Sequence, residues 1–211
     1  MSSDPLRELV AVMDRLRSPG GCPWDAQQTH RTLAPYAIEE AYELAEAVEH
    51  DDRAGLREEL GDLLLQVVFH ARLAQEDADE PFDVDDVAAD LTAKLVRRHP
   101  HVFADAEATD LHGQWDRIKA TEKGRESVFD GVPLALGALA RAQKVAGRAQ
   151  RAGLEAPAPG DDLGGRLLAL VLEARAQGLD AEGELRRTAR SWEQQLRAVE
   201  RADHRSRETS E

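Results

Sequence analysis

Glu39-Glu40-Ala41-Tyr42-Glu43 and Glu59-Leu60-Gly61-Asp62 lie in two consecutive segments whose apolar residues recur at helical spacing. The first segment, Thr32 to about His50, carries Ala37, Ala41, Leu44 and Val48 as a stripe, and Thr32 is expected to cap it with Pro35 in its first turn. The second, roughly Arg53 to Gln75, carries Leu56, Leu60, Leu63, Leu64, Val67 and Ala71. A turn near Asp51 to Gly55 would fold the two into an antiparallel pair. Glu40 and Glu43 are three apart, as are Glu59 and Asp62, so each pair shares a helix face. Glu59, Asp62 and Gln66 flank their stripe, so the acids border a core. Four carboxylates meeting there repel unless a cation neutralises them. An all-oxygen donor set selects Mg²⁺ or Mn²⁺ over zinc.

The same periodicity extends outward. Leu6 to Leu16 reads as a helix that Ser18-Pro19-Gly20-Gly21-Cys22-Pro23 breaks. Asp83 caps a helix with Asp86 at its third position, and Pro100 ends that helix after Arg98. Asp110 starts a short helix with Trp115 and Ile118, and Pro133 opens another from Leu134 to about Ala152. Ala156-Pro157-Ala158-Pro159-Gly160 has linker composition. Helices over Leu163 to Ala176 and Ala181 to Ala202 follow. The fold class is therefore all-α, an antiparallel helical bundle, with a domain over 1–155 and a short helical extension over 156–211. Two helix pairs make a thin core, so a homodimer completing four-helix bundles is expected.

A formal net charge of −14 argues against binding nucleic acid or an anionic membrane, and no run reaches the roughly 18 apolar residues of a membrane span. One cysteine, Cys22, cannot form an internal disulfide, and a reducing cytoplasm is the expected location. Asp162-Leu163-Gly164-Gly165 followed by Arg166 to Val171 repeats the apolar skeleton of Glu59 to Val68, with Gly165 where the first copy has Asp62. Two amphipathic helices can look alike by chance. If this is a second unit of the same design, it has lost its metal ligands.

Acidic helix flanks are common, and EExxE alone is more often a solvated face than a site. The second motif on a matching flank shifts that balance. Lys94 and Arg98 are four apart at a helix end, as are Trp115 and Lys119 further on. Singly, the cations complement a helix C-terminus and the indole fills a core. With the carboxylates, they suit a metal-bound polyphosphate. His99 and His101 lack the cysteine cluster or HExxH spacing of a zinc site. No histidine has Glu three residues before it, which weighs against the usual di-iron bundle. Cys22 between Gly21 and Pro23 reads as structural.

Further matching text comprises Gly21-Cys22-Pro23-Trp24-Asp25 with Gln28-Thr29, Ala34-Pro35-Tyr36, Gln66-Val67-Val68-Phe69, Lys94 to Phe103, Trp115 to Lys119 and Ala140 to Lys144. With the acidic motifs, these residues resemble the MazG family of nucleoside triphosphate pyrophosphohydrolases, within the all-α NTP pyrophosphatase superfamily. The likeness covers about Leu9 to Leu154. It implies cleavage of nucleoside triphosphates between the α- and β-phosphates, in clearing surplus or noncanonical nucleotides, and it implies a dimer. Glu40, Glu43, Glu59 and Asp62 would hold Mg²⁺, with Mn²⁺ as the alternative ion. Lys94, Arg98, Trp115 and Lys119 would contact the nucleotide, with Trp24 a further aromatic contact. Glu39 or Glu43 would take a proton from the attacking water. The region after Pro157 departs from two-domain members, which carry a second full unit with its own acids. A non-catalytic nucleotide-binding regulatory module is the competing reading.

Overall fold

The computed structural model describes residues 4–104, 126–155 and 157–208. Among these, every regular element is a helix. Packing divides the chain into two compact units, Met1–Glu107 and Ala108–Glu211, a divide that falls inside the segment read from sequence as 1–155.

In the first unit, α1 spans Pro5–Arg17, α2 Pro23–Gln27, α3 His30–Glu49, α4 Arg53–Ala74, α5 Val84–Arg98 and α6 Pro100–Phe103. α4 is the centre, with α3, α1 and α5 all packed on it. Met13 of α1, Leu33 of α3 and Val68, Phe69 and Leu73 of α4 form the buried core, and Leu9, Val10, Leu64, Leu65 and Val84 pack around them. All of this lies toward the end of the α3–α4 hairpin remote from its turn.

The hairpin turn is tight. Asp51 takes a left-handed φ of 53°, a conformation Asp tolerates better than most residues. Asp52 then caps α4 by accepting from Ala54 N and Gly55 N at 3.0 Å each. The register follows from this turn. Ala47 and Gly55 are each four residues from Asp51, and a Cβ at Gly55 would touch that of Ala47 at 3.5 Å. Leu33 and Phe69, each eighteen away, share the core.

Expected caps held at Asp83, where Asp83 and Asp86 form a reciprocal capping box. They moved at α3. Thr29, not Thr32, is the cap; Thr32 sits at the third position and reciprocates. Two hydroxyls satisfy two end groups, which leaves Pro35 inside the helix at the loss of one backbone bond. Pro23–Gln27 and Pro100–Phe103 also form short helices that the break signals concealed. Each starts on a proline, whose missing N–H costs nothing there.

In the second unit, α7 spans Ala138–Arg151, α8 Leu163–Ala176 and α9 Ala181–Glu208, each packed on the other two. α7 starts at Ala138 rather than at Leu134. Gly137 precedes it, Ala140 N donates to Glu182 Oε2 at 3.3 Å, and a Cβ at Gly137 would press into that carboxylate. α8 matches its expected bounds, and α9 runs six residues past Ala202.

Candidate metal centre

The turn geometry fixes the meeting of the acidic motifs. Glu40 and Asp62 are each eleven residues from Asp51, and Glu43 and Glu59 each eight. In an antiparallel pair they form two adjacent layers. Carboxylate oxygens of Glu40, Glu43 and Glu59 lie within 4.8 Å of one another. Asp62 adds its charge to both Glu40 and Glu59.

The electrostatics record the crowding. Glu40 titrates above the ordinary carboxylate range, first through loss of solvent and then through Asp62, Glu43 and Glu59, with Glu43 also hydrogen-bonding its protonated form. Glu59 is raised in the same way, by desolvation and then by Glu43, Asp62 and Glu58. Both shifts have the same physical origin, loss of solvent together with mutual repulsion among these acids.

The donor set fits a hard divalent ion. Oxygens on opposite sides of Mg²⁺ stand about 4.2 Å apart and those of Ca²⁺ somewhat wider. A spread inside 4.8 Å therefore closes on such an ion with small side-chain adjustments. Glu40 and Glu59 are half-buried and Glu43 is exposed, so solvent reaches the cluster from one side. Glu39 is exposed on α3 and is not among the three clustered acids.

Other predicted residues fall at different distances from this cluster along the chain. Lys94 and Arg98 occupy the C-terminal part of α5, four apart and half-buried, on a helix that packs against α4. Trp115 and Lys119, with the helix expected after Asp110, lie outside the described residues. Trp24 of α2 is half exposed and meets Tyr36 edge-on at 6.2 Å and Phe69 at 6.5 Å. Tyr36 is one helical turn from Glu40.

Two supports went unrecognised in the sequence. Arg17 is almost buried and fastens the loop after α1: Nη1 donates to the carbonyls of Asp25 at 2.6 Å and Gln28 at 3.2 Å, while Nε and Nη2 hold both oxygens of Glu76. His30 pairs with His70 across α3 and α4. Neither has a local motif, and only the hairpin register, which sets His30 and His70 at nearly equal distances from Asp51, could have suggested the second.

Comparison with known proteins bears on the same region. A model of the MazG nucleotide pyrophosphohydrolase domain matches residues 28–103. The chain is 39% identical to the nucleoside triphosphate pyrophosphohydrolase of Escherichia coli K12, over 92% of this chain and 86% of that one. It is 45% identical to a protein of that name from Mycobacterium tuberculosis, over 93% of this chain and 58% of that one. It is 53% identical to an uncharacterised 26.1 kDa protein of Streptomyces cacaoi, over 92% of this chain and 82% of that one.

Proposed function

The chain belongs to the MazG family of nucleotide pyrophosphohydrolases, and from that premise we propose that it hydrolyses nucleoside triphosphates to monophosphate and pyrophosphate, using the carboxylates of α3 and α4. The observation that carries this reading is the convergence of Glu40, Glu43 and Glu59 within 4.8 Å on facing helices, with Asp62 acting on two of them.

Glu40, Glu43, Glu59 and Asp62 would hold Mg²⁺, or Mn²⁺ in its place. The bound cation supplies charge neutralisation and a more acidic water. A triphosphate brings about four negative charges to an already acidic face, so substrate binding depends on cations as well as on protein donors. Lys94 and Arg98 supply such donors from α5, and we assign Lys119 and Trp115 to the nucleotide with them. Glu39 or Glu43 accepts the proton of the attacking water. Glu43 belongs to the cluster itself, whereas Glu39 is exposed on α3 outside it.

Leu60 and Val67, seven apart on α4, are each about half exposed. They support a homodimer that covers this stripe with a second copy. The acidic surface and the absence, among described residues, of any helix long and apolar enough to cross a membrane suit nucleotide clearance in the cytoplasm, without nucleic-acid partners.

The test is hydrolysis across a panel of ribo- and deoxyribonucleoside triphosphates with Mg²⁺, separating monophosphate plus pyrophosphate from diphosphate plus phosphate. Monophosphate and pyrophosphate are expected, with turnover falling about 100-fold or more in Glu43→Gln. Wild-type turnover in that variant would remove the cluster from the reaction. Binding of nucleotide and cation without turnover would favour the regulatory reading.

A further inference from the structure

Gln28 and Gln66 are buried polar residues, each carrying an uncharged amide. Their situations are opposite. Gln28 uses both ends of its amide, donating through Nε2 to Trp24 O at 2.9 Å and accepting from Thr32 Oγ1 at 2.8 Å. Gln66 is 8% exposed, and its Oε1 is wholly buried with no partner. A buried acceptor left unpaired is costly and rare in native proteins. Turning the amide over would leave a buried donor in the same position. An apolar residue of the same size would fill this space at less cost, so the amide calls for a partner beyond the protein's own atoms.

Its place on α4 indicates which partner. Glu59, Asp62 and Gln66 succeed one another at three and four residues, so they form one row along a single helix face. Gln66 lies one turn beyond Asp62, on the side of the buried core and away from the hairpin turn. Ions such as Mg²⁺ and Mn²⁺ keep several waters when held by carboxylates, and those waters need acceptors. On the core side of the cluster, protein must provide them.

We propose that Gln66 is a positioning residue of the carboxylate site, its Oε1 accepting a hydrogen bond from a water carried by the cation that Glu40, Glu43, Glu59 and Asp62 hold. This rests on the reading of that cluster as a metal centre. It extends the site one turn into the core and gives a conformationally fixed end to an otherwise solvent-open set of ligands.

The test is Mn²⁺ binding to the full-length protein, followed by the free-ion paramagnetic resonance signal and by water-proton relaxation of the bound ion. Gln66→Met keeps the volume and removes the acceptor. It is expected to bind Mn²⁺ about 10-fold more weakly or worse, with altered relaxation of the bound waters, while its metal-free melting temperature equals or exceeds that of wild type. Unchanged affinity and relaxation would overturn the proposal and leave the metal centre standing. Failure of the wild-type protein itself to bind Mn²⁺ would overturn both. If Met disturbs the fold, Gln66→Glu decides instead: it retains an acceptor and must bind at least as tightly as wild type, and weaker binding refutes the role.

Discussion

His30 and His70 face each other Nδ1 to Nδ1 at 2.7 Å, with ring planes 10° apart and centroids 5.0 Å apart. The centroid separation exceeds the nitrogen separation by about two ring radii. The two nitrogens therefore lie on the line joining the rings, which meet edge to edge in nearly one plane. One Nδ1 must carry the hydrogen and the other the lone pair. A first added proton can enter the bare Nε2 of the donor ring and leave this bond intact. A second would set two N–H groups against each other.

This pair ties the first turn of α3 to the buried half of α4, and it predicts acid sensitivity. His70 titrates below its ordinary value of 6.5, through burial and then through the charge of His30. The folded state thus takes up protons less readily than the unfolded chain. Stability is fully present above the unfolded value and declines as pH falls below about 6.5 and through the folded value. Urea midpoints between pH 5 and 8 should show this decline, and His30→Ala should lessen it by removing the smaller, electrostatic cause, while costing about 0.5–1.5 kcal/mol at pH 8. An equal slope in the variant would clear the pair of responsibility.

The carboxylate cluster carries the opposite sign. Glu40 and Glu59 are raised above the usual carboxylate value of 4.5, so the metal-free folded state holds protons more readily than the unfolded chain. Their contribution favours the fold below that value and is lost as pH rises through the folded values. At neutral pH, Glu40→Gln should therefore raise the melting temperature in chelator and abolish the further rise that Mg²⁺ gives the wild type. A variant less stable than wild type in chelator would mean that the acids are not in net repulsion.

The hairpin and its acidic pairs were legible because apolar spacing, the turn at Asp51 and the motif offsets all point to one register. Val84–Arg98 was legible for a similar reason, since Asp83 and Asp86 form a local cap. The start of α7 was not. Pro133 is a sound opening signal, but the cap at Gly137 depends on Glu182, more than forty residues away. At α3 two threonines three apart both suit a cap, and only their reciprocal bond selects Thr29. The same holds in the site. Glu40 and Asp62 could be paired by counting from the turn, whereas the unpaired amide of Gln66 is a property of packing that no motif records.

Arg17 shows how packing supports the loop after α1. Its guanidinium is almost buried, bonded to two carbonyls of the α2 segment and to both oxygens of Glu76. Arg72 joins Glu76 to Asp14 on α1. Glu76 is held below its ordinary value, chiefly by the bond from Arg17. Arg17→Met keeps the stem and removes the bonds, and should cost about 2–3 kcal/mol by denaturant unfolding. It should also lessen the loss of stability as pH falls through the folded value of Glu76, with Arg72 sustaining the remainder. A change under 0.5 kcal/mol would reduce this network to surface pairing.

The second unit predicts its own silence. Asp162 stands where the repeat has Glu59 and Gly165 where it has Asp62. Asp162 caps α8, its Oδ1 accepting from Gly165 N at 2.7 Å, so its carboxylate is engaged by the helix end. A Cβ at Gly165 would overlap the backbone carbonyl of Gly160, which already occupies the space a ligand side chain would need. Gly165→Asp should therefore add no Mn²⁺ site and should destabilise the protein by about 1–3 kcal/mol through overpacking. The clean background is Glu43→Gln, where binding at the first unit is weakened. If Gly165→Asp adds a bound ion per chain there, the loop at Gly160 yields and the second copy is only one substitution from a site. With no added ion and a lower melting temperature, cation chemistry remains with Met1–Glu107.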